Sequence, residues 1–228
     1  MKNCKTEPEN MITGYLRQRQ LIGWLGILLP FVCMAGASLI EGRGVQESVS
    51  MYYYTNMRDF FICLMAVVSL FLMTYRGYCP VDNIVTLAGG FSGLVLALFP
   101  CMQSSRSAGE LAGIFMLEQG TSEYVHVTSA TLFFMLLAFN SIFLFTRSNL
   151  EWKDFSFRKK LRNIVYVFCG ITILAMLVLL TVLTLVKGPD YVSINKIPLK
   201  LEIIMLFAFG FSWLIKGEVM FRDIEVQL

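Results

Sequence analysis

Four ionisable residues stand at the beginning of apolar segments, where acid–base side chains are costly and therefore informative. Arg58 and Asp59 directly precede an uncharged run of 16 residues, and Glu202 precedes one of 13. His126, the single histidine, opens a third such run. A hydrocarbon core of about 30 Å needs about twenty helical residues, so the charges that flank the two short runs are partly immersed. A carboxylate is too short to reach the interface, so Asp59 and Glu202 are expected to face the bundle interior and to meet His126 at one depth.

Such a cluster fits more than one role. Hydrolysis would use His126 as general base, Asp59 as its orienting partner and Ser50 as nucleophile, although no GxSxG motif surrounds the serine. A ligand-binding pocket needs only that donors and acceptors gather at one place. Ion pairs that merely join helices are a third interpretation. The candidate ligand-binding residues are Glu47, Ser50, Tyr53, Arg58, Asp59, His126 and Glu202.

Metal and cofactor chemistry is not expected. A catalytic zinc uses three protein ligands, usually with two or three imidazoles or thiolates, and one histidine beside two carboxylates is a weak set. Gly89, Gly90 and Gly93 follow no predicted strand, so they predict close helix packing rather than phosphate binding. The six cysteines contain no CxxC pair and most lie in apolar runs, which predicts free thiols.

The elements that must position these residues are helices in a membrane. Hydrophobic residues make up 56% of the 228 residues and charged residues only 15%, against about 25% charged in soluble domains. Backbone polar groups in lipid must be satisfied within each segment, and no alternating strand pattern is visible. The basic residues are not interleaved with aromatic residues, so no nucleic-acid partner is expected. The sequence predicts an all-α, six-helix polytopic membrane bundle in a single domain over residues 1–228, with spans at about 20–40, 57–76, 83–103, 125–146, 163–186 and 199–217.

The distribution of Lys and Arg predicts the direction of the spans. With a cytoplasmic N-terminus, 13 of the 19 basic residues fall in the two tails and in the second and fourth loops. Six of them lie between Arg147 and Arg162, in the fourth loop. Cytoplasmic loops carry an excess of basic residues, so both termini are expected in the cytoplasm. That loop also has the composition of a lipid-headgroup or protein docking site, although the topology signal alone explains it.

The longest connection on the other side covers residues 103–123, and its apolar residues recur at helical spacing: Leu111, Ile114, Phe115 and Leu117. This pattern predicts a short helix that lies on the outer leaflet or caps the bundle, with a flexible loop as the alternative. Phe99-Pro100, just before this connection, is expected to end the third span because proline cannot continue a helix.

Part of the chain resembles a known family. The run ESVSMYYYTNMRDF, residues 47–60, is similar to the first outer loop of uncharacterised six-span bacterial membrane proteins. Further matches are Ala97–Pro100, His126 with Ser129-Ala130 and Phe133-Phe134, Arg162-Asn163, and Glu202 ahead of Phe209-Gly210 and Ser212-Trp213. They extend over residues 47–218, and a more distant resemblance reaches the six-span autophagy-modulator (DRAM-like) group. The resemblance implies a multi-pass protein of the bacterial plasma (inner) membrane, and it implies no activity.

On function, the sequence predicts a non-enzymatic membrane protein whose outer-facing polar pocket binds a lipid headgroup or a small amphiphile. Two alternatives stay open. One is an intramembrane lipid hydrolase built on His126 and Asp59, and the other is an oligomeric channel or assembly subunit whose charges line a pore or a partner surface. The expected partners are membrane lipids and, in the oligomeric alternative, further copies of the chain.

Overall fold

The computed structural model describes residues 7–77, 79–103, 109–148 and 152–221. In these residues the α-helices are α1 (Glu7–Glu41), α2 (Arg58–Thr74), α3 (Pro80–Leu98), α4 (Gln119–Phe139), α5 (Phe157–Lys187), α6 (Pro189–Ile194) and α7 (Ile197–Lys216). A 3-10 helix, Ser50–Tyr54, precedes α2, a π-helical turn, Asn140–Leu144, extends α4, and a second 3-10 turn covers Trp152–Asp154. Two short strands, β1 (Leu111–Ala112) and β2 (Leu117–Glu118), form a hairpin. The predicted all-α class is confirmed.

Five helical segments are long and apolar enough to cross a membrane: Ile12–Glu41, Pro80–Leu98, Gln119–Leu144, Phe157–Lys187 and Ile197–Lys216. Large apolar side chains on their surfaces, such as Phe91 and Phe168, are 60% and 69% exposed. Extensive exposed apolar surface of this kind marks contact with a membrane or a partner. The helices therefore form a bundle suited to a membrane. α2, with 17 residues, is shorter than any of the five.

The bundle has two ends that differ in composition. At one end α1 and α3 end and α2 and α4 begin, together with both strands, and this is called the hairpin end. At the other end α2, α4 and α7 end, beside the basic residues 147–162, and this is called the basic end. Gln18 of α1 donates to the carbonyl of Phe71 at 3.0 Å, in the last turn of α2. Since α2 begins at the hairpin end, it runs the full distance between the two ends.

Close helix contacts inside the bundle depend on glycine. α1 packs along α7, and α2 packs along α3. A Cβ on Gly23 would lie 2.7 Å from the carbonyl oxygen of Gly210, and one on Gly90 would lie 2.4 Å from that of Ser69. Backbones can approach this closely only where side chains are missing. The expected close packing of the third span is confirmed at Gly90 and also at Gly93, whose Cβ would meet the Ser69 hydroxyl.

Aromatic side chains fill the basic end. Trp213 of α7 is buried, and the rings of Tyr75 and Phe145 each pack edge-on against it, with centroids 5.1 Å away. Tyr15 stacks on Tyr75, and Tyr166 packs against Phe145, both at 5.3 Å. Rings at these separations have preferred relative orientations. The cluster therefore fixes how α1, α5 and α7 meet at this end.

The prediction of a short surface helix at residues 111–117 is wrong, because this segment forms the hairpin. Leu111 lies opposite Glu118 in an antiparallel pair. Gly113 has a φ of +75° and Met116 a φ of +49°, and two left-handed residues so close together cannot belong to a right-handed helix. Helical spacing of apolar residues was therefore a misleading signal here.

Candidate functional site

The loop between α1 and α2 is held against α7 by Glu202. The Glu202 carboxylate accepts a hydrogen bond from the N–H of Val49 at 2.6 Å and another from the N–H of Ser50. These donors lie at the start of the 3-10 helix, where N–H groups have no partner within the helix and favour a negative charge. Glu202 therefore caps this helix, and the structure brings two predicted site residues, Ser50 and Glu202, together.

Glu47 makes a second link between the same loop and the C-terminal helices. Its carboxylate accepts a hydrogen bond from the hydroxyl of Ser193 in α6. Its backbone carbonyl accepts one from the N–H of Leu199 in α7 at 2.9 Å. Glu47 is therefore close to Ser50 in the sequence and close to Glu202 in space. Its two contacts hold the loop against α6 and α7.

His126 closes the end of α3. That helix ends at Leu98, as Phe99-Pro100 predicts. The His126 side chain is buried, and its Nδ1 lies 2.9 Å from the carbonyl oxygen of Leu96 and 2.7 Å from that of Phe99. A carbonyl oxygen only accepts hydrogen bonds, so Nδ1 carries a proton. The last carbonyls of a helix lack partners within it, and His126 supplies one.

Three further residues of α4 bind the same connection and were missed by the sequence reasoning. Ser122 donates to the carbonyl of residue 100, while Gln119 and Glu123 accept N–H groups of residues 103 and 102, at 2.5 to 3.0 Å. With His126 they stand at positions i, i+3, i+4 and i+7, which form one face of a helix. Polar residues at this spacing just before the fourth apolar run are the signal that identifies them.

Asp59 does not join this arrangement. Its side chain is 85% exposed and pairs with that of Arg58 at 3.2 Å. α2 begins at Arg58, so Asp59 lies in the first helical turn, where the helix dipole stabilises a carboxylate without burial. The expectation that Asp59 faces the interior beside His126 and Glu202 is therefore wrong. The predicted pair of His126 and Asp59 is not formed, since one side chain is buried and the other lies at the surface.

Tyr53 and Arg58 instead line a surface pocket at the hairpin end, with a volume of about 330 Å³. One wall belongs to the 3-10 helix and the start of α2, and the other belongs to the hairpin. The lining residues are Tyr53, Tyr54, Thr55 and Arg58 on the first wall and Leu111, Ala112, Gly113 and Met116 on the second. This space is called the hairpin pocket, and it holds two of the seven predicted ligand-binding residues.

The polar wall of the hairpin pocket is fixed by hydrogen bonds. The Tyr54 hydroxyl donates to the carbonyl of Cys101 at 2.7 Å, and the Thr55 hydroxyl donates to that of Tyr52 at 2.9 Å. The rings of Tyr53 and Tyr54 meet edge to face, with centroids 5.3 Å apart. The pocket is therefore preformed on this side.

Cys101 lies buried behind that wall. Its thiol contacts the sulfur of Met51 at 3.5 Å. Burial raises the pKa of the Cys101 thiol well above its ordinary value, and the nearby carboxylates of Glu123 and Glu202 act in the same direction. A thiol in such surroundings stays protonated and unreactive. Cys101 is therefore a packing residue and not a nucleophile.

A small internal cavity of about 40 Å³ lies beneath the 3-10 helix. Ser50 and Glu202 line its polar end, and aromatic and aliphatic side chains such as Phe133 and Met65 line the rest. A water molecule needs at least about 10–15 Å³ and several polar partners. The cavity has room for a water beside the carboxylate, and it is too small for a lipid headgroup.

In the part of the chain that the structure describes, no three His, Cys, Asp or Glu side chains are grouped closely enough to hold a metal ion. No family model, curated protein or solved structure matches this chain. The resemblance to six-span bacterial membrane proteins therefore stays a prediction.

Proposed function

We propose that this protein is a non-enzymatic membrane protein that binds the headgroup of a lipid or small amphiphile in the hairpin pocket. The observation that carries the proposal is a preformed space of about 330 Å³ with a cation and hydroxyls on one wall and an apolar hairpin on the other. Small-molecule sites are concave, begin at about 300 Å³, and combine a few polar groups with apolar surroundings.

Arg58 supplies the charge of the hairpin pocket. A guanidinium has five N–H donors, and its bond to Asp59 uses one of them. Its planar fork suits a carboxylate or a phosphate group. The hairpin offers apolar surface on the opposite wall of the pocket, where Leu111 and Met116 are 53% and 62% exposed. An amphiphile with an anionic headgroup would use both surfaces.

Binding without catalysis is favoured by the positions of the candidate catalytic groups. A general base acts within about 2.6–3.2 Å of the proton it takes. His126 is buried and spends Nδ1 on the carbonyls of α3, while Asp59 is exposed beside Arg58. Ser50 lies at the capped start of the 3-10 helix, with its N–H on Glu202. His126 and Ser50 therefore serve contacts between helices, and Asp59 lies at the surface.

We further propose that α2 crosses the membrane in addition to the five long apolar helices, which gives six spans. We also propose that both termini are cytoplasmic and that the membrane is a bacterial plasma membrane. The 17 residues of α2 extend about 26 Å at 1.5 Å per residue, slightly less than a hydrocarbon core of about 30 Å. The basic residues 147–162 lie at the end of the bundle opposite the hairpin. An excess of basic residues favours the cytoplasmic side, which leaves the hairpin pocket on the outer side.

Native mass spectrometry of the protein extracted in mild detergent tests the binding proposal. The parent should retain an amphiphile that Arg58→Gln loses. Arg43→Gln is the matched control, since Arg43 is another partly exposed arginine of this end, paired with Glu41, and does not line the pocket. Equal retention by Arg58→Gln would contradict the proposal. Turnover of the retained lipid would favour the hydrolase alternative, and a ring-shaped oligomer without lipid would favour the channel.

A further inference from the structure

A second pocket, at the basic end, gathers cationic side chains from distant parts of the chain. Arg19 belongs to α1, Arg147 to the turn after α4, Lys159 and Arg162 to the first turns of α5, and Lys216 to the end of α7. The volume of this space is about 140 Å³. It is called the basic pocket. Its assembly from four segments distinguishes it from the sequence cluster at 147–162, which contributes only part of it.

The charge of the basic pocket is strongly positive. Of the described residues that line it, five are cationic and Glu218 is the single carboxylate. Asp82, buried nearby, pairs with Arg147 at 2.8 Å. Three of the five cations are arginines, which stay protonated at every physiological pH. Among the described residues, four of these basic side chains, Arg19, Arg147, Lys159 and Arg162, stand against two carboxylates. This excess of positive charge is one that an anion would balance.

The cations at the base of the pocket are held by neutral groups. Arg19 donates to the carbonyl of Lys216 and to the hydroxyl of Tyr75, both at 3.2 Å. Its guanidinium lies 4.3 Å from the ring centroid of Tyr15. The Lys216 ammonium donates to the carbonyl of Phe145 at 3.2 Å. The aromatic cluster thus positions both side chains at the base of the pocket.

An apolar groove adjoins the basic pocket. Its volume is about 610 Å³, and Asn163 of α5 lines both spaces. Ile164, Phe168 and Ile171 line the groove at successive turns of α5, and each is more than half exposed. Residues three and four positions apart share one face of a helix, so the groove follows α5 away from the cations. The basic pocket and the apolar groove therefore match the charged headgroup and the apolar chain of a phospholipid.

We propose that the basic pocket and this groove form a site for an anionic phospholipid, with the phosphate among Arg19, Lys159 and Arg162 and one acyl chain along α5. Arginine forks bind phosphate oxygens through paired, charge-assisted hydrogen bonds. Basic segments beside membrane helices attract anionic lipids. This site lies at the opposite end of the bundle from the hairpin pocket and is independent of it. A free phosphate ion shares the headgroup chemistry but makes no use of the groove.

Native mass spectrometry of the full chain, titrated with phosphatidylglycerol, phosphatidylcholine or inorganic phosphate, tests this proposal. The parent should bind phosphatidylglycerol more tightly than phosphatidylcholine. Arg162→Gln and Lys159→Gln should each weaken phosphatidylglycerol binding about fivefold or more, the effect expected for one cation near anionic lipid. Arg158→Gln is the control, since it removes the same charge from the same helical turn but does not line the pocket.

The other measurements distinguish the phosphate of a lipid from a free phosphate ion. If inorganic phosphate displaced the lipid at equal concentration, the pocket would be a site for a free anion, and the lipid proposal would be wrong. Equal weakening in Arg158→Gln would reduce the effect to unspecific attraction and overturn the proposal, as would equal binding of the two lipids. Circular dichroism and size-exclusion chromatography verify folding. Should Arg162→Gln not fold, Lys159→Gln carries the test alone, because Lys159 is half-buried and its described side-chain contacts are confined to Ser148 and the Phe155 ring.

Discussion

The carboxylate of Glu202 accepts a hydrogen bond from the N–H of Val49 at 2.6 Å, across 153 positions of sequence. The final long helix of the chain thereby sets the position of the first loop. Tyr53 and Arg58 follow directly from that loop, so the shape of the hairpin pocket depends on a contact made outside it. Glu202 therefore acts on any ligand in the pocket through the 3-10 helix and not by touching it.

Replacing Glu202 by alanine is expected to destabilise the protein by about 1–3 kcal/mol, since it removes the acceptor of the Val49 and Ser50 N–H groups and an unsatisfied buried donor costs about that much. Glu202→Gln should lose less, because its amide oxygen still accepts an N–H. Thermal unfolding in detergent measures both. Asp59→Asn is the control, since that carboxylate is 85% exposed. A loss for Asp59→Asn as large as for Glu202→Ala would contradict the interior role of Glu202.

Stability should fall at alkaline pH partly because of Cys101. Burial raises the pKa of the Cys101 thiol in the folded protein, against about 8.5 for a free cysteine. Its contribution is therefore complete below the pKa of the unfolded thiol and is lost as pH rises through that of the folded thiol. Unfolding temperatures from pH 8 to 10 should decline less steeply in Cys101→Ala than in the parent. Cys79→Ala, which changes an exposed thiol, should follow the parent, and parallel slopes for all three proteins would refute this assignment.

Alanine at Gly23 is expected to cost about 1–3 kcal/mol, the usual effect of overpacking. The new Cβ would meet the Gly210 carbonyl oxygen at 2.7 Å and separate α1 from α7. Gly14→Ala, in the same helix with nothing within 4 Å of the new Cβ, should be neutral or slightly stabilising, because alanine favours helix over glycine. Thermal unfolding of the two variants side by side is the measurement. A neutral result at Gly23 would show that the two helices are not in contact there.

Single cysteines in a variant without native cysteines report the orientation of the spans. A cysteine at Gly44, in the exposed loop of the hairpin end, should be labelled in intact cells by a membrane-impermeant maleimide. A cysteine at Lys153, exposed at the basic end, should be labelled only after lysis. The reverse pattern would place the basic pocket outside the cell and invert the topology.

Helix positions were predictable because they follow from local rules. Each of the six apolar runs forms a helix, and α3 ends at Leu98 because Pro100 removes a donor. The hairpin was not predictable, since its strands have only two residues each and its course depends on the backbone of Gly113 and Met116. Apolar spacing does not report a change in backbone handedness.

The candidate site was predictable in part. Counting the residues of each span correctly indicates that Glu202 is drawn into the protein, because α7 has few residues to spare. Asp59 departs from this expectation, because the 3-10 helix covers the bundle and leaves the first turn of α2 at the surface. The complete basic pocket could not be predicted from the sequence, because Arg19 and Lys216 are 197 residues apart and only packing brings them together.

The contact between Gly23 and Gly210 has a consequence for biosynthesis. A ribosome adds about 5–20 residues per second, so α1 is made roughly 10 to 40 s before its partner helix. During that interval the glycine face of α1 lacks the α7 surface that it packs against in the finished protein, and Arg19 lacks the Lys216 carbonyl that it binds there. The contact between α1 and α7 therefore forms last, and a chain that stops before α7 lacks it.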